Sequence, residues 1–146
     1  MGLLTIQDAA SRCGLSEPTL RYYEEVGLIG PIARSSQGHR RYRDEDIDTL
    51  QALACLRAMG VGIEDMRTYQ ANRRVGHAKA RDQRDLLLRH AQRVRAEMET
   101  LRVHLDYLDA KAALWDARHR HDADDESRAN ERVQGMLPLL GEVLSR

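Results

Sequence analysis

The densest chemistry in the sequence lies between Pro31 and Arg43, where Arg34, Arg40, Arg41 and Arg43 stand with His39 and no acid, a local charge of +4. Guanidinium groups with serine hydroxyls and a glutamine amide nearby suit phosphate oxygens, because the planar cation bonds oxyanions in pairs. Asp44, Glu45, Asp46 and Asp48 follow at once and sum to −4, so a solvated turn paired with the next helix is the competing reading. Upstream, Ser16, Thr19, Arg21 and Tyr22 are polar positions around an apolar Leu20/Tyr23 face, placed to meet a phosphate or a base edge. Arg57 offers either one more backbone contact or a partner for a neighbouring acid. Cys55 has two readings: a reactive thiol, which must be reachable and partly deprotonated, or a small buried hydrophobe. Cys13, in a tight turn, reads as structural. His119, His121, Asp122 and Asp124 hold metal-ligating atoms, yet a run of this kind is usually solvated, and neither a metal site nor a cofactor is expected. No histidine follows Cys55 before about residue 73 to serve as its base, which argues against a thiol-dependent enzyme.

These groups need a scaffold, and its punctuation is readable. Thr5 lies three residues ahead of Asp8 and opens a first helix that Gly14 ends; Ser16 caps a second, with Pro18 in its first turn and Gly27 after it. Two short helices joined by Cys13-Gly14-Leu15 predict a helix-turn-helix whose second helix enters a major groove. The Ser/Gln/Gly turn inside the arginine segment predicts a small hairpin, a wing. Asp44-Glu45-Asp46 then opens a third helix with Ile47, Leu50, Leu53 or Ala54, and Met59 facing inward. A fourth starts at Gly62 with Ile63, Met66 and Tyr69 inward. From there Leu87, Ala91, Val94, Met98, Leu101, Leu105, Leu108, Ala112 and Trp115 alternate at spacings of four and three, a coiled-coil seam that requires a second long helix and so predicts a homodimer. A charged break over 118–130 precedes an apolar tail of Met136, Leu137, Leu139, Leu140, Val143 and Leu144, interrupted by Pro138 and Gly141 and expected to fold back on the dimer.

The expected organisation is thus mainly α: a winged helix-turn-helix domain over 1–73, a dimerising coiled-coil helix over 77–118 and a short helical tail over 127–146. Composition sets limits. The chain has 146 residues with 23 Lys+Arg against 23 Asp+Glu, so net charge offers no hint of nucleic acid, and even residues 1–75 balance at ten of each sign. Any affinity for DNA must come from placement. With no apolar run near the ~18 residues of a membrane span and no basic-then-apolar leader, a soluble cytoplasmic protein is expected.

Thr5-Ile6 with Ala9-Ala10, Gly14-Leu15-Ser16, Thr19-Leu20-Arg21-Tyr22-Tyr23-Glu24, Gly27-Leu28-Ile29, the spaced Arg34, Gly38, Arg40 and Tyr42, and Asp46-Ile47 through Leu56-Arg57-x-Met59-Gly60 together resemble the N-terminal domain of the MerR family of transcription regulators. The resemblance covers about residues 3–71. It implies a winged helix-turn-helix homodimer on double-stranded promoter DNA that bends and untwists the promoter in response to an effector, so that RNA polymerase can start. Carried over by position, Arg21, Tyr22, Arg34, Arg40 and Tyr42 would contact DNA, whereas His39 departs from the aromatic common after the wing glycine. Metal sensors of the family resemble one another in cysteines on and after the dimer helix, and no cysteine follows Cys55 here. The stretch around Cys55 resembles instead the subgroup that responds to aldehydes, other electrophiles or nitrosative stress through one thiol. Two alternatives stay open: a small molecule bound at the coiled coil, or an architectural DNA-bending protein with no effector.

Overall fold

The structure, a computed structural model, describes residues 2–144, with side chains described through residue 141. It is mainly helical, in the order α1 (Ile6–Cys13), α2 (Glu17–Glu25), β1 (Ala33–Arg34), β2 (Arg40–Arg41), α3 (Asp44–Ala58), α4 (Ile63–Val75), α5 (Ala80–His119) and α6 (Ala123–Leu144).

The caps fall where the sequence puts them. Thr5 Oγ1 accepts from the Asp8 N–H at 3.2 Å and Ser16 Oγ from that of Thr19 at 3.2 Å, each satisfying one of the amides a helix start leaves without an internal partner. Gly14 stops α1 at φ 68°, a left-handed conformation that an L side chain resists. The wing is an antiparallel pair in which Ala33 faces Arg41 and Arg34 faces Arg40, closed by a turn with Gly38 at φ 83°. A further rung was not visible in the sequence: Leu4 and Tyr42 exchange both backbone hydrogen bonds at 2.8 Å, fastening the chain start to the wing.

One core holds these parts together. Leu20 of α2, Leu28, Tyr42, and Leu50 and Leu53 of α3 are its most deeply buried large side chains, and truncating a leucine in such a setting costs about 2–5 kcal/mol. Met59 was expected to face this core but is exposed. It is the C-cap of α3, where the helix has already turned away from its apolar face. This first compact unit runs to Leu88, beyond the expected boundary at 73. The first turns of α5 belong to it: Gln83 Nε2 donates to the Tyr69 carbonyl at 3.0 Å, and Asn72 Nδ2 donates to Gln83 Oε1 at 3.3 Å.

The second unit, from Arg89 onward, is the rest of α5 with α6. The expected charged break over 118–130 shrinks to a few residues, because α5 runs to His119 and α6 begins at Ala123. Asp122 makes this possible: its Oδ1 accepts from the Asp125 N–H at 3.0 Å, and Asp124, Asp125 and Glu126 occupy the positive end of α6. Arg118 pairs with Glu126 at 2.9 Å and Arg120 with Asp116 and Asp125 across the turn. Pro138 lies inside α6 without ending it, and Gly141 is likewise within the helix. The expected interruption gives way to a packed face, with Val133 buried and Ala129, Met136 and Leu140 half-buried. The side chains of Val143 and Leu144 lie outside the described residues. On α5, Ala110, Leu114 and Ala117 are buried, whereas the predicted seam lies on another face. Leu87, Val94, Met98, Leu101, Leu105, Leu108 and Trp115 are all exposed, Leu101 to 63%; Ala112 is exposed and Ala91 half-buried.

Candidate nucleic-acid interface and thiol groove

Three elements build a basic concavity on the first unit. The start of α1 contributes Thr5, Ile6 and Gln7, α2 contributes Arg21 with Glu17, and the wing contributes Arg34, Gly38, His39, Arg40 and Arg41. Of the candidate DNA contacts, Arg21, Arg34, His39 and Arg40 are therefore brought together, joined by Arg41 of the same arginine run. Tyr22 is exposed on α2. Ser16 and Thr19 are occupied as a cap, with their hydroxyls 2.8 Å apart. Arg57 lines a different groove.

Tyr42 requires a correction. Its ring is fully buried and its hydroxyl has no hydrogen-bond partner, so it cannot reach DNA in this conformation. The residue follows β2, and the bridge to Leu4 turns its side chain into the core. Burial pushes the phenol pKa above its ordinary value, with the Arg40 cation opposing. Tyr23 is buried alike, and its phenol is raised for the same first reason against the pull of Arg57.

The residue that organises the concavity is Glu24, which sequence reasoning used only as part of a motif. From the last turn of α2 its Oε1 accepts from Arg40 Nε at 2.6 Å and its Oε2 from the Ile32 N–H at 2.8 Å. The side chains of Glu24 and Arg40 are only 15% and 22% exposed. Burial alone would raise the carboxyl pKa, but the bonds from Arg40 and Ile32 and the nearby Arg34 charge hold it below its ordinary value. Recognition helix and wing are thereby joined through one carboxylate. Arg34 is also tethered, donating to the Gly38 carbonyl at 2.8 Å, and Arg21 lies 3.8 Å from Glu17. Arg34 and Arg40 are each held at one edge, and five donors per guanidinium leave others for an external oxyanion.

The two cysteines line one groove, between the α1–α2 turn and α3, together with Arg12, Leu15, Ala54 and Arg57. Cys13 is buried, with its sulfur 4.0 Å from the Ile47 carbonyl, and burial pushes its thiol pKa up against the pull of Arg12. Cys55 is exposed in the chain, so the reading of a buried filler does not hold for it here. Among the described residues no group of three or more His, Cys, Asp or Glu side chains is placed to hold a metal ion, and no helix is long and apolar enough to cross a membrane.

Comparison with known proteins agrees with this geometry. The profile of the MerR HTH family regulatory proteins matches residues 4–72. An uncharacterised HTH-type transcriptional regulator of Haemophilus influenzae is 29% identical over 111 residues, covering 76% of this chain and 82% of that one. The HTH-type transcriptional regulator AdhR of Bacillus subtilis is 42% identical over 66 residues, covering 45% of this chain and 47% of that one. Among solved structures, HiNmlR, described as a MerR family regulator lacking the sensor domain and bound to promoter DNA, superposes with a TM-score of 0.68 at 26% identity, over 88% of this chain and 96% of that one. Caps, wing and core, together with these likenesses, identify residues 4–72 as the helix-turn-helix DNA-binding domain of a MerR family transcriptional regulator.

Proposed function

We propose that the chain works as a homodimer on double-stranded promoter DNA, bending and untwisting it so that RNA polymerase can start, under control of an electrophile that reacts with Cys55. The observation that carries the DNA-binding part is the single concavity in which Arg21, Arg34, His39, Arg40 and Arg41 converge. Arginines fixed beside a recognition helix bind phosphate oxygens and set the register in which α2 meets base edges. HiNmlR, of similar fold, was crystallised on promoter DNA, which supports the same partner here. Distorting the duplex costs on the order of 1–6 kcal/mol for a smooth bend, offset by the contacts the bend permits.

The exposed stripe from Leu87 to Trp115 supports the homodimer. So many large apolar side chains in heptad spacing on one exposed face call for a second helix of the same pattern. Exposure of Cys55 in a groove supports the thiol as the sensing group, because a thiolate attacks only what can reach it. This function is binding and response rather than turnover, in the cytoplasm, with no resident cofactor or metal. The test is transcription from the protein's own promoter with wild type and Cys55→Ser, before and after exposure to formaldehyde or methylglyoxal. Induction in the wild type alone is expected. Induction that persists in Cys55→Ser would remove the thiol from the mechanism, and no response in either would favour an effector-free architectural protein.

A further inference from the structure

The basic concavity of the first unit holds one residue of the opposite sign. Glu17, in the first turn of α2, is the single carboxylate among the described residues that line it, in company with Arg21, Arg34, Arg40 and Arg41. It accepts no hydrogen bond from a described residue: Arg21 lies 3.8 Å away, and the two side chains stay open, Glu17 to 42% and Arg21 to 49%. Glu24, by contrast, is fully engaged by Arg40 and the Ile32 N–H. A carboxylate on a surface that meets phosphates is repelled by them, so Glu17 weakens attraction to DNA in general. The groups on a duplex that attract it are the amino groups on base edges in the major groove. Cytosine presents its N4 amino group there with no acceptor beside it, whereas adenine sets N7 next to N6 and repels the second oxygen. Residues at the N-terminal end of a recognition helix are the ones that meet base edges, and Glu17 is the first residue of α2.

We propose that Glu17 is a specificity-determining residue that accepts from the N4 amino group of a cytosine in the major groove, while Arg21 donates to O6 and N7 of a guanine one or two base pairs away. The inference rests on the reading of the concavity as the DNA-facing surface and adds which base edges that surface selects. The spacing follows from the helix: residues four apart are separated by about one turn, about 5.4 Å, against about 3.4 Å per base pair. Selection works by exclusion as much as by attraction. A sequence without the amino group at that position leaves the carboxylate desolvated against acceptors or phosphates, a cost that the matching sequence escapes. Before DNA arrives, mutual attraction keeps Glu17 and Arg21 side by side, yet at 3.8 Å neither is consumed by a hydrogen bond to the other.

Selection from a fully randomised duplex library, with the full-length wild type, Glu17→Gln, Glu17→Ala and Arg21→Ala, yields the preferred half-sites. Fluorescence anisotropy then measures affinity for the wild-type site, for that site with the cytosine replaced, and for an unrelated duplex. The wild type should select a cytosine at one position of each half-site, and replacing it should weaken binding on the order of tenfold. Glu17→Gln should move that position to adenine, whose N6 and N7 suit a side-chain amide, and Glu17→Ala should select no base there. Arg21→Ala should relax a guanine one or two base pairs away and leave the cytosine preference standing. Both Glu17 variants should bind the unrelated duplex more tightly than the wild type, because one repelling charge is gone, and this gain should shrink as salt is added. Those opposite signs separate base reading from stabilisation of α2 by an acid in its first turn, which predicts unchanged base preferences and no gain on unrelated DNA. Identical selected sites for the wild type and both Glu17 variants overturn the proposal. If Arg40→Ala weakens binding to every duplex in that case, the base reading alone falls; if Arg40→Ala also binds as the wild type does, the concavity is not the DNA-facing surface and both readings fall together.

Discussion

Glu24 is the residue whose replacement tests the assembly of the DNA-facing surface most directly. In Glu24→Gln the side chain keeps its shape and one oxygen, so backbone geometry is preserved, but the negative charge that receives Arg40 at 2.6 Å and the Ile32 N–H at 2.8 Å is gone. Hydrogen bonds to a charged group contribute about 1.5–3 kcal/mol and neutral ones about 0.5–1.5. Converting two of the first kind to at best one or two of the second costs about 1–2 kcal/mol. The pair is neither fully exposed, where the value would fall toward zero, nor fully buried, where it would rise further. Thermal unfolding followed by circular dichroism should show the midpoint lower by roughly 4–10 °C at pH 7. Protonation supplies a second, independent check. The folded carboxyl is held below the ordinary glutamate value of 4.5, so between the two values the unfolded chain binds the extra proton and stability rises with pH. Its contribution is present in full above about pH 4.5 and is lost as the pH falls through the depressed folded value. The gap between wild type and Glu24→Gln should therefore be constant from pH 6 to 8 and shrink steadily below about pH 4.5. A gap that is absent at pH 7, or that persists undiminished into strong acid, would refute the assignment of Glu24 as the latch between α2 and the wing.

Other outcomes follow from the same geometry. Arg40→Ala should weaken binding to all DNA sequences and lower the slope of log affinity against log salt by about one unit, read by fluorescence anisotropy; an unchanged slope would remove Arg40 from the phosphate set. Arg40→Lys keeps the charge but loses the fork that bonds Glu24 and an oxyanion together, so affinity should fall with the slope unchanged, and full affinity would show that charge alone suffices. Leu101→Asp places a carboxylate in the exposed stripe of each protomer; two lost leucine contacts at about 2 kcal/mol each weaken dimerisation by about a thousandfold, seen by sedimentation as monomer. Persistent dimer would mean that the partner helix lies elsewhere.

The sequence was most legible where a single residue type enforces a single backbone event. Thr5 and Ser16 accept from the amides their spacing predicts, and Gly14 and Gly38 adopt the left-handed turns that end α1 and close the wing. Legibility failed where a residue served two patterns at once. Tyr42 belongs to an arginine-rich polar run and also to the Leu4 bridge, and backbone pairing decided its direction. On α5 the reading followed the bulkier of two stripes. Val103, Tyr107, Ala110, Leu114 and Ala117 also repeat at spacings of four and three, and that quieter face is the one buried or half-buried within the chain. Alanines carry little signal in a hydrophobicity count because they are small, yet small residues let helices approach closely. The early start of α6 was signalled by Asp122 three residues before Asp125, the same device that marked α1, but it sat in a charged stretch that composition alone assigns to solvent.

The balance of 23 cations against 23 anions acquires a structural meaning from these contacts. A protein that binds DNA through excess charge gains long-range attraction but holds its arginines loosely, and each loses side-chain entropy when it binds. Here an acid and a carbonyl take up one edge of two guanidiniums before DNA arrives: Glu24 for Arg40 and the Gly38 carbonyl for Arg34. An acid that orients an arginine also cancels its charge at a distance, as Glu24 does for Arg40. What is given up is steering, and what is gained is pre-organisation.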